Sequence, residues 1–186
     1  MNGGIDARFG TARGAVRLAL SWAEVGLGLA RMAPPDPQGV QRLVFVCHGN
    51  ICRSAYAAAL ARRAGYRTAG FGLSTSTGQG AHPPLAEIAA RRGVALDDHR
   101  STALADFVPQ SGDLLIAMEV RHLRRLSTDE RLRHLPRTLL GCFLVPPLPH
   151  LHDPYELSAA YTETCLARIE QAVPRLLSRF PSARAA

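Results

Sequence analysis

Residues 43–54 read LVFVCHGNICRS, and this stretch decides the fold. The unbroken apolar run from Leu43 to Cys47 predicts a short buried strand, and the amphipathic pattern from Arg53 to Ala64 predicts a helix directly after it. Between them, Gly49 and Asn50 suit a tight turn, because glycine permits positive φ and close backbone approach and asparagine tolerates left-handed geometry. Cys47 thus stands at the carboxyl end of a strand that feeds a helix, where α/β proteins bind their ligands.

Working outward, short apolar runs alternate with longer amphipathic ones. Strands are expected over 67–71, 114–118 and 138–144, and helices over 84–92, 119–126 and 157–180. In the last helix Leu166, Ile169, Val173, Leu176 and Phe180 recur at intervals of three and four, with Pro174 as a candidate kink. Such alternation builds βαβ units. The expected fold class is α/β: a three-layer sandwich with a four-stranded parallel sheet flanked by helices, plus an extra N-terminal helix.

That extra helix is read over 11–32. Arg13, Arg17, Ser21, Glu24 and Arg31 fall on one stripe, and Val16, Leu20, Trp22, Val25, Leu27 and Leu29 spread over the remaining surface. Pro34, Pro35, Pro37 and Gly39 then interrupt regular structure. Three regions follow: an N-terminal helix and proline-rich linker over 1–40, the main domain over 41–180 and a tail over 181–186. The helix is expected to pack on its own domain or to support a homodimer, with contact to a membrane surface through 11–32 the lesser alternative. Arg17 and Glu24 interrupt its most apolar part, so it is not expected to span a bilayer.

The formal charge of +7 favours an acidic partner. All of the strongly basic residues are arginines; with no lysine in the chain, Schiff-base chemistry and a Walker-type phosphate lysine are excluded. Basic and aromatic residues do not interleave as in nucleic-acid modules, so no nucleic-acid partner is expected. Cys47, Cys52, Cys142 and Cys165 are few and scattered, which suits a reducing cytoplasm better than a disulfide-stapled secreted fold. His150, His152 and Asp153 lie close together but lack a second ligand pair, so neither a metal nor a cofactor is expected.

The chemistry concentrates at Cys47. Five residues separate it from Arg53, a spacing that lets the loop of His48, Gly49, Asn50, Ile51 and Cys52 wrap a tetrahedral anion with its backbone N–H groups, aided by the helix N-terminus. Arg53 adds a planar fork that can hold two phosphate oxygens and follow the charge of a phosphoryl transition state. These donors should favour the thiolate of Cys47, the form that attacks phosphorus. Ser54 can donate its hydroxyl to that thiolate, both as nucleophile and as leaving group.

VFVCHGNICRS at 44–54 resembles the active-site signature of the low-molecular-weight protein-tyrosine phosphatases. TAG at 68–70, GQGAHPPLAEIAARRGVAL at 78–96, DDHRS at 97–101, IAMEVRHL at 116–123 and HDPYELSAAY at 152–161 resemble later segments of the same family. The resemblance implies an enzyme that hydrolyses phosphotyrosine through a phosphocysteine on Cys47. It implies Asp153 as the acid that protonates the leaving phenolate and later as the base for water, and Tyr155 at the mouth of the cleft, stacking on the substrate ring. It further implies that Asn50, Ser54, Thr68 and His99 form a hydrogen-bond network bracing the loop, and that Cys52 is a redox partner able to form a reversible disulfide with Cys47. A phosphotyrosine protein is the implied partner, with a bacterial tyrosine kinase of polysaccharide export as the particular candidate.

Some features depart from the pattern. Ala55 replaces a common proline, the acidic residue usual over 56–59 is absent, and the loop over 72–80 is lengthened, which alters one wall of the cleft. Alternatives on the same fold are an arsenate reductase, an arginine phosphatase or a non-enzymatic phosphopeptide-binding module. The first needs a cysteine relay, yet no cysteine lies between 53 and 141; the second goes with threonine where this chain has Ile51; the third is at odds with the joint presence of Cys47, Arg53 and Asp153.

Overall fold

The computed structural model describes residues 3–185. Four strands, β1 (Arg42–Cys47), β2 (Thr68–Gly72), β3 (Asp113–Ala117) and β4 (Arg137–Leu139), form one parallel sheet in the order β2-β1-β3-β4. The helices are α1 (Gly3–Phe9), α2 (Ala12–Gly26), α3 (Arg53–Arg63), α4 (Pro83–Arg91), α5 (Val120–Thr128) and α6 (Ala159–Arg179).

Alternation along β1 explains the three layers. Leu43, Phe45 and Cys47 enter one core with Tyr56 and Ala57 of α3 and Leu166, Ile169 and Leu176 of α6. Val44 and Val46 enter a second core with Leu115, Ala117, Leu123 and Leu126, the last two from α5. A central parallel strand covered on both faces must read as a continuous apolar run, and LVFVC does. Ser158 caps α6 by accepting the N–H of Tyr161, which starts the helix two residues later than its apolar period suggests. Pro174 stands inside this helix without ending it.

Three expectations need correction. The strand expected over 138–144 stops at Leu139, and Leu140–Phe143 form a 3-10 turn. Gly141 is the reason. A side chain there would place its Cβ 1.8 Å from the carbonyl oxygen of Leu148, whose own N–H bonds back to Gly141. The presumed tail also belongs to the fold. Ala183 is buried, Ala185 donates to the carbonyl of Gly65, and Arg184 pairs with Tyr66.

The third correction concerns the N-terminal extension. Its long helix ends at Gly26 instead of reaching residue 32, because Gly28 at φ +71° turns the chain. A shorter helix, α1, precedes it. The helix packs through a narrow face of small residues flanked by Leu18 and Val25: Gly14 and Ser21 are buried, while Arg13 and Arg17 are exposed, Leu20 and Trp22 are 57% and 50% exposed, and Val16 also faces outward. Small residues allow close approach to the domain, and Glu24 meets Arg124 of α5 at 2.6 Å. The linker beyond is docked, since Ala33 exchanges both backbone hydrogen bonds with Arg137 of β4. Among the described residues no helix is long and apolar enough to cross a membrane.

This orientation predicts an inverted mutational pattern. Leu20→Glu should leave the urea midpoint almost unchanged, within about 0.5 kcal/mol, as at an ordinary exposed position. Gly14→Leu should cost about 2 kcal/mol or more from overpacking, because even a Cβ at Gly14 lies 2.1 Å from the Phe9 carbonyl oxygen. The opposite ranking in urea titrations would mean that the Leu20 and Trp22 side of the helix turns inward.

Candidate active site

The segments that follow β1 and β2 wall a cleft of about 430 Å³, lined by residues that include Cys47, Gly49, Ile51, Ser74, Asp153 and Tyr155. The loop after β1 is held by its carbonyls. Cys47 O accepts from Leu73 N, His48 O from Ser74 N, Asn50 O from His99 Nε2 at 2.6 Å, and Ile51 O from His82 N. In a trans peptide the C=O and the following N–H point in opposite directions. Tying these carbonyls outward therefore turns the N–H groups of His48, Gly49, Ile51 and Cys52 inward, as an anion cradle needs.

The left-handed residue in this loop is Asn50, at φ +54°, and not Gly49. Its side chain repays the strain. Nδ2 donates to Ser54 Oγ at 2.8 Å and Oδ1 accepts from the N–H of Thr102 at 3.0 Å. Since the amide can only donate to Ser54, the hydroxyl proton of Ser54 is free to point at Cys47 Sγ, 3.0 Å away. The Asn50 N–H adds a second donor to the sulfur at 3.2 Å. His99 meets the loop through its bond to the Asn50 carbonyl; burial lowers its pKa, so a neutral ring donating to a carbonyl is the natural state.

Thr68 does not join. It begins β2, paired with Leu43 at the far end of the sheet from Cys47, and its hydroxyl makes no hydrogen bond to the loop. The backbone N–H of Thr102 takes that place. Gly70 and Gly72 matter more on β2. A Cβ on Gly70 would lie 3.1 Å from Asn50 Nδ2, and one on Gly72 would lie 2.9 Å from the His48 carbonyl oxygen.

Arg53 opens α3 and is only 1% exposed. Nη1 donates to Glu119 Oε1 and to the Leu151 carbonyl, both at 2.7 Å, and Nη2 donates to Asp153 Oδ2 at 2.5 Å. Nε has no partner although it is buried. A buried donor without an acceptor is costly. Burial would weaken the charge on Arg53, but Asp153 and Glu119 outweigh it and keep the guanidinium protonated.

Glu119 was not foreseen from the sequence. It follows β3 and is buried with its carboxylate 2.7 Å from both Arg53 and Arg121. Burial pushes its pKa up, but Arg53 and the neighbouring cations hold it well below the carboxylate range. The readable signal was an acidic residue directly after the apolar run at 114–118. His150 and His152 are occupied with each other at 3.4 Å, and His150 also approaches Glu119 at 3.6 Å. Burial lowers the pKa of His150 to about 4.

Cys52 is a buried free thiol on the cleft wall, held protonated by burial and by the nearby Asp153 and Cys47. Tyr155, 46% exposed, stands at the mouth with its ring 4.8 Å from that of His82.

A sulfur surrounded by hydrogen-bond donors and faced by an arginine and a carboxylate is equipped for displacement at phosphorus, which places the protein among cysteine-dependent phosphomonoester hydrolases. The model of the family described as low molecular weight phosphotyrosine protein phosphatase matches residues 42–185, and the chain belongs to that family. The probable low molecular weight protein-tyrosine-phosphatase EpsP of Ralstonia solanacearum is 28% identical over 144 residues, covering 75% of this chain and 96% of its own length. The tyrosine phosphatase AmsI of Erwinia amylovora superposes with a TM-score of 0.68 at 28% identity, covering 76% of this chain and 93% of its own. The arginine phosphatase YwlE, solved as a mutant with a phosphorylated active-site serine, superposes with a TM-score of 0.67 at 25% identity, covering 77% and 98%.

Proposed function

We propose that this hydrolase acts on protein phosphotyrosine by two in-line displacements. In the first, Cys47 Sγ bonds to phosphorus as the phosphorus–phenolate bond breaks, and Asp153 gives its proton to the departing phenolate. In the second, Asp153 takes a proton from water as the water oxygen bonds to phosphorus. The sulfur–phosphorus bond breaks in the same step, and Ser54 stabilises the departing thiolate. Tyrosine and inorganic phosphate leave. The observation that carries this reading is that Cys47 and Asp153 line one cleft with Arg53 held between Glu119 and Asp153.

The walls favour an aromatic phosphoester over phosphoarginine. Ile51 and Tyr155 present an apolar slot, in which a flat ring buries well and a second guanidinium beside Arg53 is repelled. EpsP and AmsI are named as tyrosine phosphatases and YwlE as an arginine phosphatase, so the choice rests on these side chains. With matched peptides, kcat/KM should favour phosphotyrosine by about tenfold or more, and Ile51→Thr should narrow the gap. A preference for phosphoarginine would reverse the assignment. Within this reading the protein substrate is a cytoplasmic phosphotyrosine protein, with a tyrosine kinase of polysaccharide export as the particular candidate. A Cys47→Ser pull-down that captures no tyrosine-phosphorylated kinase from the native lysate would remove it.

A further inference from the structure

The loop that carries Asp153 is fastened from two sides. On the domain side, Leu151 donates its N–H to Met118 at 3.0 Å and receives Arg53 on its carbonyl at 2.7 Å. The next residue, His152, faces the N-terminal extension. A Cβ on Gly10 would lie 2.8 Å from its ring and 2.9 Å from both Leu157 and Tyr161, and one on Gly14 would lie 3.1 Å from the same ring. Gly10 also has φ +79°, so the glycine is needed for backbone as well as for space.

Thr11 completes the contact. Its Oγ1 accepts the N–H of Gly14 as the N-cap of α2, which leaves its proton free for His152 Nε2, 3.3 Å away. His152 then carries its own proton on Nδ1, toward His150 Nε2 at 3.4 Å, and His150 turns Nδ1 toward Glu119 at 3.6 Å. A directed series thus runs from Thr11 through two imidazoles to the carboxylate that holds Arg53. Tyr161 donates its hydroxyl to the carbonyl of His152, and Arg168 of α6 donates to the carbonyl of Arg8, closing the extension over the loop. None of these extension residues lies within the family match, which begins at residue 42.

We propose that Gly10, Thr11 and Gly14 are positioning residues for the general acid, acting through His152 to hold Asp153 at the leaving-group side of the cleft. This rests on Asp153 being the acid, and the test separates the two claims. In the full-length protein, kcat/KM would be measured from p-nitrophenyl phosphate, whose phenolate leaves readily, to phenyl phosphate, whose phenolate needs a proton. Competitive inhibition by inorganic phosphate would monitor the loop.

Gly10→Val should lower kcat/KM for phenyl phosphate by roughly tenfold, a fraction of what a general acid supplies, with a much smaller loss on p-nitrophenyl phosphate and unchanged phosphate inhibition. Thr11→Val should shift the series in the same direction, and Thr11→Ser should restore it. Asp153→Asn should give the steepest dependence of all. If Asp153→Asn is steep and both extension variants lose activity equally on every substrate, the extension has no part in placing the acid. If Asp153→Asn itself is flat, the acid assignment fails and this inference fails with it. Should Gly10→Val not fold, the Thr11 pair decides alone, because valine keeps the shape of threonine while losing both the His152 contact and the α2 cap, serine returns both, and a lost cap by itself would lower activity on every substrate alike.

Discussion

Cys47→Ser is expected to abolish turnover of p-nitrophenyl phosphate, lowering kcat by about 10⁴-fold or more, the scale on which loss of a nucleophile falls. The environment explains why serine cannot substitute. The groups at Cys47 Sγ are donors, Ser54 Oγ at 3.0 Å and the Asn50 N–H at 3.2 Å. Donors can stabilise negative charge on a sulfur nucleophile, but they cannot remove the proton of an alcohol. The anion cradle is built from backbone fixed by His99, Asn50 and Thr102, which this change leaves in place. Competitive inhibition by inorganic phosphate should therefore stay within about threefold, well under 1 kcal/mol. Residual turnover within a factor of ten of the parent would mean that another group attacks.

Arg53→Lys keeps the charge and should still lower kcat/KM by about 10³-fold, because a single ammonium cannot reproduce the fork. Arg53 reaches Glu119, Leu151 and Asp153 at once and has Nε left over. Lysine would loosen the pairing of Glu119, which is buried almost completely, and should cost about 2 kcal/mol or more of stability. The pH dependence has a definite sign. Glu119 is depressed in the folded state from its ordinary value of 4.5, so its contribution is fully present above that value and is lost as pH falls below it. With the partner weakened, Arg53→Lys should lose more stability than the parent at neutral pH, and the difference should shrink toward pH 3. Urea midpoints across that range would check it; a difference that grows on acidification would contradict the buried ion pair.

What the sequence reveals here depends on whether a residue acts locally. β1, its loop and α3 are legible because burial, turn chemistry and the Cys47 to Arg53 spacing all lie within a dozen positions. Asp153 is legible only through the family resemblance, and Glu119 only as an acid at a strand exit. Thr68 shows the limit of resemblance, since its position in the sheet register keeps it away from the loop while Thr102 arrives by a long connection. Gly70 and Gly72 were silent because their role is the space they leave for Asn50 and His48. Periodicity separates the polar and apolar residues of α2 but does not say which turn inward; the buried positions are Gly14 and Ser21, and contacts such as Glu24 with Arg124 fix the orientation.

The most direct test of phosphoryl transfer through Cys47 is a rapid acid quench of the enzyme during turnover of a phosphotyrosine peptide, followed by mapping of protein-bound phosphate. The expected result is phosphate on the peptide containing Cys47, accumulating further in Asp153→Asn as water attack slows. Phosphate on any other residue, or full turnover with no phosphoenzyme at any time, would contradict it.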